Sequence, residues 1–289
     1  MGGLWGDVVA MEAPEKSIET GIIISNREIF KDHFLMIFKV PDSFRGSTPG
    51  QFVMLRRGGG DLPFLGRPFS IHSLYSIDGE TVMEILYRVS GRGTALISRL
   101  KCDDSVMILG PLGRGFDVPR GKKRIVLVAG GMGIAPLLCL AESLLRESGD
   151  ESIETTLYFG AQSSHYLFGI DRLKRLCSPL KLSTDDGTVG YRGPVTDLVN
   201  RDAPSFGRDE SALFACGPYG MIRETARIAG EYSIACQVSL EEKMACGIGA
   251  CLGCAVRASG EKRSKRFMRI CTEGPVFDSR EIDWDYHEG

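Results

Sequence analysis

Arg124-Ile125-Val126-Leu127-Val128-Ala129-Gly130-Gly131-Met132-Gly133-Ile134-Ala135-Pro136 joins an unbroken apolar run to a glycine turn and then to a proline at the head of a helix-forming stretch. A continuous apolar run is what a strand buried on both faces of a parallel sheet requires. Glycines directly after such a strand let the backbone close on a phosphate, and the next helix starts with free N–H groups aimed at the same place. The spacing is not the G-x-G-x-x-G fingerprint, but strand, glycine turn and helix form the context that a phosphate-binding turn needs. The helix is expected from Pro136 to about Glu147.

Downstream the alternation repeats. Strands are expected at 154–159, 181–183 and 212–215, and helices at 170–176, 195–199 and 219–230. This is an α/β nucleotide-binding layout. Cys216-Gly217-Pro218 also follows a strand and opens a helix, so both loops should lie at the carboxyl edge of one sheet, where ligands bind. Taken alone, Cys216 reads first as a plain core cysteine. The candidate nucleotide-binding residues are therefore Gly130, Gly131, Gly133, Ala135, Pro136, Cys216, Gly217 and Pro218.

Upstream the rhythm is different. Short β runs at 21–24, 33–38, 51–55 and 81–89 are broken by Pro41-Asp42, Pro49-Gly50, Gly58-Gly59-Gly60 and Asp78-Gly79. Regularly spaced short strands of this kind suggest an antiparallel barrel, with a short helix over 94–100. On it lie Arg67-Pro68-Phe69-Ser70 and, further along, Leu86-Tyr87-Arg88 leading into Gly91-Arg92-Gly93-Thr94. An arginine near a serine hydroxyl and an aromatic ring can hold a flavin diphosphate and cover its ring. Gly93 and Thr94, opening a helix, can offer N–H groups to a phosphate. Singly, each motif is an ordinary turn; their order on one barrel gives them weight.

The C-terminal part is short of apolar periodicity and rich in cysteine. Cys246-Gly247-Ile248-Gly249-Ala250-Cys251-Leu252-Gly253-Cys254, with Cys271 beyond it, has the C-x4-C-x2-C spacing of plant-type [2Fe–2S] sites. Glycines suit a loop that wraps a cluster, because it needs positive φ angles and N–H groups turned to the sulfurs. A structural zinc site prefers two close C-x2-C pairs, and only one occurs here. Cys102, Cys139, Cys177, Cys216 and Cys236 are scattered and read as small buried hydrophobes. The basic run Lys262-Arg263-Ser264-Lys265-Arg266 reads as a solvated hairpin tip.

The bulk numbers agree with this division. With 289 residues, 43% hydrophobic and 25% charged, the chain has the balance of a soluble globular protein of two or three domains. A net charge of −2 gives no global field for nucleic acid or an anionic membrane. Met1 to Lys16 lacks the basic and apolar regions of a secretory signal, and no apolar run is long enough to span a membrane. A cytoplasmic location is expected, where a tight cysteine cluster signals metal before disulfides. The expected architecture is multi-domain, α+β and α/β: a FAD-binding antiparallel β-barrel (18–118), an α/β NAD-binding domain (119–232) and a small [2Fe–2S] domain (233–289).

R-P-F-S, Y-R with G-R-G-T, G-G-x-G-x-A-P and C-G-P, in that order, resemble the ferredoxin–NADP⁺ reductase superfamily. Ser239-Leu240-Glu241-Glu242-Lys243-Met244-Ala245, the cysteine loop, and Cys271 with Gly274-Pro275-Val276-Phe277-Asp278 resemble one family within it. That family is the electron-transfer subunit of NAD-linked, type B dihydroorotate dehydrogenase. The resemblance implies FAD held by Arg67 to Ser70, Leu86 to Arg88, and Gly93-Thr94, and a cluster ligated by Cys246, Cys251, Cys254 and Cys271. It also implies NAD(H), an FMN-containing catalytic subunit in a heterotetramer, a role in pyrimidine biosynthesis and no general base on this chain. Nicotinamides exchange electrons in pairs and a cluster takes them singly, so FAD belongs between them.

Two related readings share these cofactor motifs. One is a stand-alone NADH-dependent iron–sulfur flavoprotein reductase with a fused ferredoxin-like domain. The other is the small subunit of NAD(P)H–ferredoxin or sulfide oxidoreductases, which often place an acidic residue among the cluster ligands. A non-enzymatic, zinc-stapled nucleotide-binding module is a third. Tyr158 through Ile170 holds no Arg or Lys, which favours NAD(H) over NADP(H).

Overall fold

The computed structural model describes residues 16–58, 65–147, 153–260 and 266–286. The turn at Gly59-Gly60, the tail up to residue 15 and the greater part of the basic run at 262–266 lie outside them.

The first unit contains β1 (Ser17–Phe30), β2 (His33–Val40), β3 (Phe52–Arg57), β4 (Arg67–Ser70), β5 (Ser73–Ile77), β6 (Glu80–Arg88), α1 (Arg92–Ile97) and β7 (Ser105–Leu112). Its strands pair antiparallel in the order β4-β3-β7-β1-β2-β6-β5. β4 and β5 are opposite edges of that order, yet only Ile71 and His72 separate them in the chain. The sheet must therefore curl until its edges meet. Ile71 N–H donates to the Gln51 carbonyl and His72 N–H to that of Glu84, which fixes the corner. Inside the curl lie Met36, Phe38, Phe44, Val53, Met83 and Ile85.

The second unit contains β8 (Arg124–Gly130), α2 (Ile134–Glu147), β9 (Glu154–Ala161), α3 (Ile170–Leu176), β10 (Leu180–Thr184), β11 (Tyr191–Arg192), α4 (Val195–Asp202), β12 (Ser211–Cys216), α5 (Tyr219–Glu231) and β13 (Ala235–Ser239). These strands are parallel, in the order β11-β10-β9-β8-β12-β13. From β8 the chain winds one way through β9 and β10, and from β12 it winds the other way. The crevice beyond the carboxyl ends of β8 and β12 is thus the switch point, where ligands of such sheets bind.

β13 lies after residue 232, in the stretch read above with the cysteines, yet it pairs with β12 along its length. β14 (Ala255–Arg257) and β15 (Phe267–Arg269) form a hairpin, α6 (Ile270–Glu273) follows, and β16 (Val276–Asp278) adds antiparallel to β13. This segment shares its core. Cys254, Ile270, Cys271 and Phe277 pack in one apolar cluster with Met54 and Leu112 of the first unit and Val126 and Leu213 of the second. Each Ile, Leu, Met, Phe or Val side chain among them contributes about 1.5–3 kcal/mol when fully buried. The small segment obtains that burial only because the two larger units supply the opposite wall.

Among the described residues no helix is long and apolar enough to cross a membrane.

Candidate functional site

The two glycine loops after β8 and β12 are locked together. A Cβ on Gly133 would lie 2.0 Å from the Cys216 carbonyl oxygen, and one on Gly217 would lie 2.9 Å from the Gly130 Cα. Gly131 has φ +51° and open space around it, so its backbone faces the crevice. Ala135 and Pro136 lie behind the loop in the buried first turn of α2. Cys216 is also buried, and its thiol is pushed up by burial and by the Glu241 charge. Its backbone builds the loop while its side chain fills the core.

In front of these loops lies a cleft of about 740 Å³ between the barrel and the parallel sheet, a size suited to a cofactor. Gly130 to Gly133, Gly217 and Pro218 form one wall, and Leu86 and Arg88 the other. Several lining residues carry no sequence signal. Phe30 and His33 flank a hairpin tip, with ring centroids 4.3 Å apart, and Tyr166 from the second unit approaches Phe30 at 5.6 Å. Asp185 stands just beyond the end of β10. Glu241 opens into the cleft, and the crowding of its walls raises its carboxyl above the usual range.

The flavin motifs meet at one point. A Cβ on Gly93 would lie 2.4 Å from Arg67 Nε, so the guanidinium rests against the first turn of α1. Arg67 Nη1 donates to the Leu65 carbonyl at 2.7 Å. Thr94 Oγ1 accepts from the N–H groups of Ser90 at 3.0 Å and Gly91 at 3.2 Å, which shapes the turn beside that charge. Along β6 the side chains alternate: Leu86 and Arg88 face the cleft, and Tyr87 points into the barrel. There its hydroxyl donates to Asn26 Oδ1 at 2.9 Å and its ring meets Phe69 edge-on at 5.4 Å. Phe69 is likewise inside, and Pro68 and Ser70 are half-buried at the strand edge. Neither Phe69 nor Tyr87 lines the cleft; the Phe and Tyr side chains that do are Phe30, Tyr166 and Phe168.

The cysteine loop is turned by glycines, Gly247 at φ +72° and Gly249 at φ +84°. Cys251 N–H donates to Cys246 Sγ at 3.4 Å. Burial opposes ionisation of the Cys246 thiol, but the N–H groups of Cys251, Ile248 and Ala250 bring it down to about 6. Cys254 and Cys271 are buried and adjacent; burial and then the Cys254 sulfur push the Cys271 thiol up to about 12. Among the described residues no three His, Cys, Asp or Glu side chains converge on one point as ligands of a single ion. Cys251 lies beside Cys246 and Cys254 beside Cys271, and a two-iron cluster takes one such pair at each iron, so the donor set fits the cluster. One side of the loop presses on the barrel, where a Cβ on Gly247 would lie 2.7 Å from Met54 Cγ. On the other side Ile248 is 52% and Leu252 63% exposed.

Of the remaining cysteines, Cys139, Cys177 and Cys236 are buried as the sequence suggests, and Cys102 is exposed.

Residues 241–283 match the iron–sulfur cluster binding domain of dihydroorotate dehydrogenase B, and residues 127–227 match the oxidoreductase NAD-binding domain. The chain is 37% identical to the dihydroorotate dehydrogenase B (NAD(+)) electron transfer subunit of Desulforamulus reducens, over 87% of this chain and 93% of that one. It belongs to that family. The subunit of the same name from Caldanaerobacter subterraneus is 36% identical over 90% of this chain and 96% of its own length. Among solved structures, an NADH-dependent reduced ferredoxin–NADP oxidoreductase superposes with TM-score 0.77 and 28% identity, covering 92% of this chain and 90% of that one. A Neisseria gonorrhoeae ferredoxin NADP⁺ reductase with bound FAD and NADP shares the fold at TM-score 0.62 and 19% identity, over 75% of this chain and 92% of that one. As a member of the dihydroorotate dehydrogenase B electron transfer subunits, the chain is an NAD-dependent oxidoreductase with an iron–sulfur domain.

Proposed function

We propose that this chain passes electrons from the FMN of a dihydroorotate-oxidising catalytic subunit to NAD⁺, in pyrimidine biosynthesis, as part of a heterotetramer. In this reading residues 18–118 serve FAD, 119–232 serve NAD(H) and 233–289 serve a [2Fe–2S] cluster. The observation that carries it is the cysteine loop, seated on the barrel at Met54 and open on its far side at Ile248 and Leu252. Bound FAD supplies the conversion between hydride and single-electron chemistry.

The chain's own residues bind and orient. Arg67 neutralises the flavin diphosphate beside the N–H groups of Gly93 and Thr94. Leu86 and Arg88 form the barrel wall of the cleft, and Gly131 and Gly217 bring bare backbone to the dinucleotide. Asp185 at the end of β10 would repel a 2′-phosphate, and Tyr158 to Ile170 holds no Arg or Lys to attract one, which supports NAD(H). Cys246, Cys251, Cys254 and Cys271 hold the cluster, with loop N–H groups stabilising the thiolate at Cys246. Ile248 and Leu252 offer the uncharged surface on which the catalytic subunit docks.

The likeness to the ferredoxin–NADP oxidoreductase favours a second reading, a small subunit serving ferredoxin. The all-cysteine donor set and the relatives' shared name weigh against it.

Reconstitution separates the two. Alone, the chain should reduce dyes with NADH and leave dihydroorotate untouched. Mixed with the catalytic subunit it should support dihydroorotate-dependent NAD⁺ reduction, and Leu252→Asp should impair that coupling more than dye reduction. Turnover of dihydroorotate by the isolated chain, or full coupling by L252D, contradicts the proposal.

A further inference from the structure

Beside its apolar contacts, the seam between the barrel and the nicotinamide half carries a partly buried ion-pair fork. Arg172 of α3 donates from Nη1 to Glu84 Oε2 on β6 at 2.7 Å, from Nε to Glu142 Oε1 on α2 at 2.8 Å, and from Nη2 to Ser73 Oγ on β5 at 2.9 Å. The Ser73 hydroxyl donates to Glu142 Oε2 at 2.6 Å, and the Tyr75 hydroxyl to Glu84 Oε1 at 2.9 Å. The Glu84 side chain is only 8% exposed.

Beside the fork, His72 is fully buried and its Nδ1 lies 3.2 Å from the Ala135 carbonyl. A carbonyl only accepts, so Nδ1 carries the proton. Ala135 is the second residue of α2, immediately behind the glycine loop that faces the cleft. α3 begins two residues after Phe168, which lines the cleft and lies 5.9 Å from the His72 ring.

A buried ion pair adds little net stability over an apolar contact of the same volume. What it adds is direction, because the planar guanidinium accepts its partners in only one geometry. Apolar contacts alone would let the seam slide; here sliding would part Arg172 from Glu84 and leave that nearly buried carboxylate without its cation. Arg172 itself does not line the cleft.

We propose that Arg172 is a positioning residue for electron exchange between NAD(H) and FAD: by gripping Glu84 on one side and Glu142 on the other, it sets how the nicotinamide half sits on the flavin barrel. The proposal rests on the reading of the cleft given above. The reaction concerned is NADH + FAD + H⁺ ⇌ NAD⁺ + FADH2, in which both electrons travel with one hydrogen as hydride and the single proton comes from solvent. Hydride transfer demands close approach, and a misplacement of about 1 Å costs roughly 100-fold in rate.

The test is Arg172→Lys, which keeps the charge and loses the fork. Anaerobic stopped-flow with the FAD-loaded chain should show flavin reduction at saturating NADH slowed at least 10-fold. The NADH dissociation constant should stay within about 3-fold of wild type and FAD content should be unchanged. Without any nucleotide, hydrogen–deuterium exchange should rise in α3 and at the start of α2, and stay unchanged in β1 and β2. If R172K does not fold, the triple variant R172M/E84Q/E142Q, which leaves no unpaired charge, should show the same slowing. A wild-type reduction rate per bound FAD in the folded variant overturns the positioning role. A wild-type chain that binds no FAD overturns the reading of the cleft, and the proposal with it.

Discussion

Gly133 and Cys216 touch so closely that any side chain at Gly133 would overlap the Cys216 carbonyl. The contact joins two loops far apart in sequence, and it lets both reach the cleft as bare backbone.

A backbone oxygen cannot swing aside as a side chain can, so Gly133→Ala must push the loops apart. Overpacking of this kind costs about 1–3 kcal/mol. FAD should be retained, Tm should fall by about 2–4 °C per kcal/mol lost, and KM for NADH should rise roughly 10-fold. Steady-state dye reduction and a thermal melt check this; an unchanged KM would remove the loop from the NAD(H) site.

Gly93 faces the movable end of a side chain instead. Gly93→Ala should displace the Arg67 guanidinium with little effect on the stability of the flavin-free protein. FAD should bind about 10-fold more weakly, equivalent to about 1.4 kcal/mol and typical of a lost charge-assisted hydrogen bond. Arg67→Ala should weaken it at least as much, and the double variant should be no worse than R67A alone. Additive losses, measured by flavin fluorescence titration, would show that Gly93 acts independently of Arg67.

His72 predicts a pH dependence. Burial, opposed by Glu84 and assisted by Arg172, lowers its pKa from the usual 6.5 to about 4. Between those values the unfolded chain holds the proton and the folded chain does not, so acid favours unfolding. The stability is fully present above pH 6.5 and is lost as pH falls toward 4, by on the order of 3 kcal/mol at 1.36 kcal/mol per unit. His72→Gln, which can still donate to Ala135, should flatten that part of the curve. Parallel wild-type and H72Q curves from denaturant titrations at pH 4.5, 5.5 and 7 would contradict it.

The parallel sheet was legible because strands buried on both faces leave unbroken apolar runs, as in Ile125 to Ala129. β1 was harder to read. Its outward face carries Ile18, Ile22 and Ile24, which hides the alternation, and two register shifts against β2 interrupt it. β13 was hidden by Cys236, which made a sheet strand look like part of the cysteine segment. At the site, local motifs were legible and contacts across the fold were not. R-P-F-S and G-R-G-T each stood out, but no spacing foretold that Arg67 would rest on Gly93. Tyr87 kept its place in the motif while strand alternation turned its ring inward. Phe30, Tyr166 and the Arg172 fork depend on how two units meet, and that is written in no single segment.

The central claim, that one chain carries both a two-iron cluster and a flavin, is tested most directly by metal, acid-labile sulfide and flavin analysis of the purified protein. The account predicts about two irons, about two sulfides and about one FAD per chain, and a Cys251→Ser variant that loses iron and sulfide while keeping FAD. Stoichiometric zinc without sulfide, or loss of FAD together with the cluster in C251S, would contradict it.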